Sequence, residues 1–413
     1  MQRGLQMVLL AVAVASAAYA GATVSPLQEV MRAALGLSDN QMAILQGPAL
    51  ALPLAIGAVP IGLAIDRYSR TRLLLILTVF DVIGSLGTAR AASFAVLLGA
   101  RSVIGLTSFA VNPVALSLVA DLYPPAQRGR ANMAIGIAQC GGIAAAFVLG
   151  GALAARFGAG ADGWRLAMLG LTVPMLLVVF VVLPMREPLR TGVALEHPTL
   201  RRVLRELWGY RAVVAPILAG IMMGQIALGA DYVWGAPMLS RNFGLTPEHV
   251  GTTMAAALMV SGVAGAAAGG VLADFCQRLG GPQLTVSVLA GLTLLSAPIG
   301  LFGAVSSTLC ASILFILFLT AATAISVMAS TLFIVVAPNE LRGLCMTAVV
   351  AICVPVGNGF APMAVSMLAQ LLGGDRMIGA ALSLVCVGTS VLGALAFISG
   401  RRPCYTVTRA QPL

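Results

Sequence analysis

Charged side chains are scarce in this 413-residue sequence, and lysine does not occur at all. Only 9% of the residues are charged, whereas 59% are hydrophobic and the mean hydropathy is +0.99. A soluble domain carries about 25% charged residues, so the composition excludes a soluble or disordered chain and predicts a membrane protein. Without lysine the sequence contains no Walker A phosphate-binding loop, which excludes an ATPase of that kind.

Histidine is almost as rare as lysine. His197 and His249 stand far apart in polar segments, which excludes an H-E-x-x-H metalloenzyme and a histidine relay inside the membrane. The seven cysteines have no C-x-x-C spacing, so neither a zinc site nor a disulfide framework is indicated. We therefore predict a chain that is not an enzyme and that uses no cofactor or metal.

Long apolar runs dominate what is present. A membrane helix needs roughly 20 apolar residues, and twelve stretches reach that length. Ala18-Tyr19-Ala20 is similar to a signal-peptide cleavage site, but the apolar run continues beyond it and favours a retained first span. The pattern predicts an all-α membrane protein with spans at 6–31, 42–65, 73–92, 95–119, 131–155, 165–184, 212–240, 248–272, 284–303, 307–336, 345–370 and 378–399.

The formal net charge of +10 comes from arginines that stand between the apolar stretches. The positive-inside rule explains this placement better than nucleic-acid binding does. With the N-terminus inside, 17 of the 24 arginines fall on the cytoplasmic side, and Arg101 lies inside a span. We predict a multi-pass protein of the inner cell membrane with both termini in the cytoplasm, and no nucleic-acid partner.

The longest polar stretch divides the chain near its middle. Residues 186–211 predict a cytoplasmic linker between a six-helix bundle at 1–185 and a second one at 212–399, followed by a cytoplasmic tail at 400–413. Within the linker, residues 200–207 form either a short amphipathic helix on the membrane surface or part of a solvated segment.

Three motifs recur in the same order in the two halves, which indicates a duplicated six-helix unit. Ser38 with Gln41, and Thr246 with Pro247, predict helix starts beside the first motif pair. The matched pairs are Gly36-Leu37-Ser38 with Gly244-Leu245-Thr246, Gly62-x-x-x-Asp66 with Gly270-x-x-x-Asp274, and Arg128-Gly129 with Arg342-Gly343.

Together with the six-plus-six pattern, the segment from Gly62 to Arg70 resembles the signature between helices 2 and 3 of the major facilitator superfamily. The stretch from Ala100-Arg101 to Asn112-Pro113, and the loop from Asp121 to Arg130, resemble its next signature. This resemblance covers the whole chain. It implies two six-helix bundles that rock around a central site, and a secondary transporter with a small-molecule substrate.

Four segments within residues 1–190 resemble the spinster-like branch of that superfamily: Gly36-Leu37-Ser38-Asp39, the loop from Pro124-Pro125 to Arg130, Gly163-Trp164-Arg165 and Arg186-Glu187-Pro188. This resemblance implies an amphipathic, lipid-like substrate. Ala20-Gly21 and Ser108 stand where the branch carries acidic coupling groups, so proton coupling through those positions is not expected. Residues 145–151 lack the proline of the antiporter signature in helix 5. Multidrug efflux by proton antiport, or a non-transporting membrane sensor, remain the alternatives.

Charges inside the predicted spans indicate where a substrate binds, because each one is costly in a bilayer. Arg101 predicts a contact with an acidic or phosphate group through its fork of donors; the alternatives are snorkelling or a bond to a neighbouring carbonyl. Asp81 is either a coupling group or a structural hydrogen-bond acceptor. Glu29, Asp231, Tyr232 and Trp234 lie near the outer ends of the first and seventh spans, where they line an outer mouth. The alternative for the two aromatic residues is that they anchor the helix at the membrane interface. The predicted substrate-binding residues are Arg101, Asn112, Asp231, Tyr232 and Trp234.

Gating is predicted from the loops. The aspartates of the repeated motif stand at helix ends, where a carboxylate can meet a helix N-terminus or an arginine. The resemblance implies that such contacts close the cytoplasmic side. We predict a monomer with a small-molecule substrate and the lipid bilayer as its partners. The predicted gating residues are Gly62, Asp66, Arg67, Arg70, Asp121, Arg128, Arg130, Gly270, Asp274 and Arg342.

Overall fold

The computed structural model describes residues 3–158, 160, 162–188, 211–336, 353 and 355–410. Within these ranges the chain is helical and contains no strand. The helices before the predicted linker are α1 (Arg3–Ala22), α2 (Gln28–Leu35), α3 (Asp39–Gln46), α4 (Pro48–Arg67), α5 (Arg70–Ala89), α6 (Phe94–Leu122), α7 (Pro125–Phe157) and α8 (Gly163–Val182). Those after it are α9 (Arg211–Phe243), α10 (Pro247–Val260), α11 (Ala266–Ile299), α12 (Thr308–Val336), α13 (Ala361–Leu372) and α14 (Ile378–Ala410).

The apolar spans agree with the predicted ones, with two differences in the described part of the chain. Nine helices there are long and apolar enough to cross a membrane, or up to ten with the bent pair Asp39–Gly57 and Pro60–Arg67. One of the nine, Pro247–Ala304, has 58 residues and contains two predicted spans, which meet at Gly281 in a non-helical conformation (φ 62°). The predicted span at 345–370 lies partly outside the described residues, as do linker residues 189–210.

The sequence repeat is visible in the backbone. Gly36 and Gly244 both adopt the left-handed conformation, with φ values of 60° and 64°. Glycine carries no Cβ and adopts this conformation without strain. Ser38 and Gln41 form the predicted capping box at the start of α3, and α10 begins at Pro247 as predicted. The two halves therefore enter their second spans through the same kind of turn.

The chain forms two compact units. The first comprises Met1–Val193 with Gly235–Met259, and the second comprises Ala194–Trp234 with Val260–Leu413. The end of α9 and most of α10 thus cluster with the first unit, although they follow the linker in sequence. The domain boundaries drawn from the sequence remain a prediction.

Small residues let helices of each unit approach closely. In the first unit, a Cβ added at Gly105 on α6 would lie 2.4 Å from the Leu50 backbone on α4. In the second, Cβ atoms at Gly265 and Gly269 would meet backbone oxygens of α12, at Thr320 (2.7 Å) and Ala324 (2.5 Å). Gly265 and Gly269 stand in the G-x-x-x-G spacing that is typical of closely packed membrane helices.

Candidate functional site

Two helices of the first unit are interrupted near Arg101, the predicted substrate-binding arginine. A 3-10 turn at Ser25–Leu27 separates α1 from α2, and Gly47 (φ −105°, ψ −95°) separates α3 from α4. Pro26 and Pro48 stand at the two breaks and offer no backbone N–H. Interrupted membrane helices leave backbone groups available to side chains and ligands.

Arg101 joins the two breaks. Its side chain, on α6, is almost fully buried at 1% exposure. Nη2 donates to the Gly21 carbonyl oxygen at 2.8 Å, and Nε donates to the Leu45 carbonyl oxygen at 3.4 Å. A carbonyl contact is the predicted alternative to a substrate contact, and this carbonyl contact is present. The substrate-binding role of Arg101 remains a prediction.

Three further polar side chains lie buried at the breaks. Ser25 Oγ donates to Gln46 Oε1, and Gln46 Nε2 donates to Gln28 Oε1, both at 2.6 Å. Gln28 is 1% exposed, and its Nε2 has no hydrogen-bond partner. Because Gln46 follows Leu45 directly, Arg101 belongs to the same arrangement. We call Ser25, Gln28, Gln46 and Arg101 the polar cluster.

The polar cluster has more donors than acceptors, and α1 carries further donors. Ser16 Oγ and Tyr19 Oη are buried there without a hydrogen-bond partner. Residues three apart in a helix lie on one face, so both hydroxyls point from the same side of α1. Buried donors normally find an acceptor. This part of the first unit is therefore suited to a ligand that carries acceptor oxygens.

The deepest acid in the first unit is a hydrogen-bond acceptor between α5 and α6. Asp81 is 1% exposed, and its Oδ1 accepts hydrogen bonds from the hydroxyls of Thr107 and, at 3.0 Å, Ser108. The structural role proposed for Asp81 from the sequence is thus present, and its coupling role remains a prediction. Asn112, on the same α6, is half-buried.

The predicted residues on α9 are more deeply placed than the sequence indicates. Asp231 and Trp234 are both fully buried at 0% exposure, whereas Tyr232 is half-buried. Trp234 Nε1 donates to the Pro362 carbonyl oxygen at 2.8 Å. Trp234 is therefore a packed interior side chain, and the position of these residues at an outer mouth or a membrane interface remains a prediction.

Two predicted gating residues meet at one end of the first unit, together with Glu187, which is not among the predicted site residues. Arg70, at the start of α5, forms an ion pair with Asp121 and another with Glu187 at 2.8 Å. Glu187 also accepts hydrogen bonds from Thr71 N–H and the Ser69 hydroxyl, both at 2.9 Å. Its carboxylate thus fastens the segment after α8 to the N-terminus of α5.

This arrangement predicts an acid-sensitive contact. Burial raises the pKa of Glu187, but hydrogen bonds from Thr71 N–H, Arg70 and Ser69 outweigh burial and lower the pKa to about 2. A lowered pKa stabilises the fold above the ordinary value near 4.5, and that contribution is lost as the pH falls towards 2. In Glu187→Gln, the unfolding temperature should be lower at neutral pH and should depend less on pH between about 4.5 and 2.

The measurement is thermal unfolding of the purified protein across that pH range. Glu248→Gln provides the control, because Glu248 is exposed. We expect the free energy of unfolding to fall by about 1.5–3 kcal/mol in Glu187→Gln at neutral pH, which is typical for lost hydrogen bonds to a charged group. The same pH dependence in wild type and Glu187→Gln would contradict the assignment.

Among the other predicted gating residues, Arg128 contacts the end of α6. Arg128 donates to the carbonyl oxygens of Tyr123 at 3.1 Å and Ala120 at 2.7 Å, which satisfies the last carbonyls of α6. Gly62 and Gly270 share an open environment, since an added Cβ would meet nothing within 4 Å at either. Arg342 lies outside the described residues. The exposed members are Asp66, Arg67, Arg130 and Asp274.

A second ionic contact in the first unit was missed by the sequence reasoning. Arg241, near the end of α9, donates to both carboxylate oxygens of Glu29 at 2.9 and 2.7 Å, and to both of Asp39 at 2.7 and 2.8 Å. Arg32 lies 3.7 Å from Asp39 and 3.9 Å from Glu29. We call Glu29, Arg32, Asp39 and Arg241 the ionic cluster. It ties a segment that follows the linker in sequence to α2 and α3.

Comparison with known proteins assigns a family. The sequence profile of the Major Facilitator Superfamily matches residues 9–362. A triacylglyceride transporter of Mycobacteroides abscessus is 30% identical over 192 residues, which are 45% of this chain and 35% of that protein. Member 8 of solute carrier family 2, a facilitated glucose transporter of Mus musculus, is 28% identical over 192 residues, or 46% and 38% of the two chains. The alignments thus span little more than a third of these relatives' length.

Among solved structures, a bacterial homolog of the human lysosomal transporter Spinster, inward-facing and unoccupied, has a similar fold. The TM-score is 0.77 at 19% identity, over 98% of this chain and 97% of that one. At this identity the likeness shows the fold alone. It agrees with the spinster-like resemblance of the sequence. The two curated relatives are transporters, which supports the prediction that this chain is not an enzyme.

Proposed function

Because the chain belongs to the Major Facilitator Superfamily, we propose that it is a secondary transporter that works by alternating access. Its substrate is a small amphipathic molecule whose headgroup carries hydrogen-bond acceptors, such as a carboxylate, an ester or a phosphate. The membrane is the inner cell membrane, with both termini in the cytoplasm, and the working unit is the monomer.

The polar cluster carries this proposal. Four polar side chains are buried together around the ends of α1 and α3. They include a cation, and the Gln28 amide has an unused donor. Guanidinium and amide donors bind carboxylate and phosphate oxygens well. A site with these groups prefers an anionic or acceptor-rich headgroup to a cationic one.

The apolar part of the substrate is inferred from relatives. A triacylglyceride transporter shares sequence with this chain, and a Spinster homolog shares its fold. The Ser16 and Tyr19 hydroxyls on α1, each buried without a partner, extend the donor-lined region away from the polar cluster. An acyl chain or another long apolar group suits the apolar side chains that surround these hydroxyls on α1.

The two ionic contacts supply the means of closing each side. With the orientation given by the arginines, the Arg70–Asp121–Glu187 contact lies on the cytoplasmic side and the ionic cluster on the outer side. We infer that the ionic cluster holds the outer side closed and breaks when it opens, whereas the predicted gating residues act on the cytoplasmic side. Asp81, which accepts a hydrogen bond from the Ser108 hydroxyl, is the coupling candidate within the first unit.

Ligand-dependent stability tests the substrate class. The purified protein is heated with lysophospholipids, fatty acids, sugar acids, neutral sugars and cationic drugs, and hits are repeated in reconstituted vesicles. A ligand at a hundredfold excess over its dissociation constant stabilises the folded state by about 2.7 kcal/mol. We expect stabilisation by lysophospholipids or fatty acids. Stabilisation by cationic drugs alone would contradict the proposed substrate and favour drug efflux.

A further inference from the structure

The second unit contains a buried acid whose environment differs from that of Asp81. Asp231, on α9, has no exposed surface. Its Oδ1 accepts one weak hydrogen bond, from Cys386 Sγ on α14 at 3.4 Å, and its Oδ2 has no hydrogen-bond partner. Among the described residues, no arginine forms an ion pair with it. A fully buried carboxylate in this situation lacks compensation for its charge.

In the described part of the chain, few ionisable groups lie next to Asp231. On α14 the group in contact is the Cys386 thiol, which is itself neutral and buried. The π-helical segment Pro355–Phe360 reads Pro-Val-Gly-Asn-Gly-Phe and carries no ionisable side chain. On α9 the neighbouring ionisable side chains are Tyr232 and, ten residues further on, Arg241. Ten helical residues span roughly 15 Å, and Arg241 already binds two carboxylates.

The backbone beside Asp231 is unusually close to that π-helical segment. A Cβ added at Gly229, two residues before Asp231, would lie 2.4 Å from the Gly357 carbonyl oxygen. A Cβ added at Gly357 would lie 2.6 Å from Gln225. The two segments therefore lie close enough for backbone to meet backbone, with the Asn358 amide oxygen and Gln225 Cβ beside the contact. π-helical turns inside helices are frequent at functional sites.

Burying an ionised carboxylate without a partner costs far more than burying the neutral acid. We propose that Asp231 is a proton-binding site of the second unit, which holds its proton in this closed arrangement and exchanges it when water reaches α9. The proton resides on one carboxyl oxygen, and Cys386 donates to the other. This inference adds a proton as the coupling ion of the proposed transporter. Only the role of the proton in coupling rests on the proposed function; the binding of the proton to Asp231 does not.

Infrared difference spectroscopy of the reconstituted protein tests the proposal directly, because a protonated carboxyl absorbs apart from a carboxylate. We expect a protonated-carboxyl band at neutral pH that is absent in Asp231→Asn and retained in the control Asp162→Asn, since Asp162 is exposed with 83% of its side chain accessible. The band should shift on transfer to heavy water only slowly, because the site is closed.

Cys386→Ala gives an independent reading should Asp231→Asn not fold. It removes the one donor to Asp231 found among the described residues, so the band should persist at a changed frequency. The absence of any such band at neutral pH, or a band that neither variant alters, would overturn the proposal. The result is separable from the transport proposal, because ligand stabilisation by lysophospholipids does not depend on the protonation of Asp231.

Discussion

Arg241→Ala should loosen α2 and α3 and shift the protein towards the state in which the ionic cluster is open. The substitution removes four hydrogen bonds of 2.7–2.9 Å. It also leaves two carboxylates together, one of them, on Asp39, with only 3% of its side chain exposed. Breaking a buried ion pair by removing one partner costs about 3–5 kcal/mol. Arg32 remains nearby, so we expect the lower end of that range.

Hydrogen–deuterium exchange of residues 28–46 measures this effect. The exchange should accelerate strongly in Arg241→Ala and stay unchanged in Arg90→Ala, a control at an exposed arginine at the end of α5. Adding Glu29→Gln and Asp39→Asn to Arg241→Ala removes the uncompensated charges and should restore part of the stability. If exchange in Arg241→Ala equals that of the wild type, the ionic cluster does not hold this side closed.

Arg101→Gln should both weaken the first unit and reduce affinity for an anionic amphiphile. The Gly21 and Leu45 carbonyl oxygens lose their charged donor, and lost hydrogen bonds to a charged group cost about 1.5–3 kcal/mol each. If the guanidinium also binds the headgroup, affinity should fall at least about tenfold, the equivalent of about 1.4 kcal/mol. Arg101→Lys keeps the charge but not the fork of donors, so it should recover binding only in part.

The measurement is the dissociation constant for the best lysophospholipid or fatty acid from the ligand screen, with Arg156→Ala as a control at an exposed arginine. A neutral ligand of the same chain length separates the two roles of Arg101, because its binding does not need the charge. If Arg101→Gln binds the anionic ligand as well as the wild type does, Arg101 serves only to hold α1 and α3 together.

Local sequence signals predicted the fold well. The Gly36 and Gly244 turns, the Ser38 capping box and the start of α10 at Pro247 each follow from residues within a few positions of one another. The apolar spans follow from composition alone, since a bilayer demands their length. The non-helical conformation at Gly281 was harder to predict, because helix continues on both sides of this residue.

The site was less predictable, because its contacts join distant parts of the chain. Arg241 binds Glu29 across 212 positions, and Glu187 binds Arg70 across 117. Neither pair has a spacing that a single sequence can reveal. Gln28 and Gln46 look like ordinary polar residues near helix ends. The signals that were available are Pro26 and Gly47-Pro48, which mark the two breaks where the polar cluster forms.

Counterflow in proteoliposomes tests the central claim most directly. Vesicles that contain the purified protein are loaded with an unlabelled lysophospholipid or fatty acid, and entry of the labelled compound is followed without an ion gradient. Alternating access predicts labelled uptake that overshoots and then decays, slowed in Arg241→Ala and weakened in Arg101→Gln. Binding without any exchange would contradict the account and identify the chain as a sensor that does not transport.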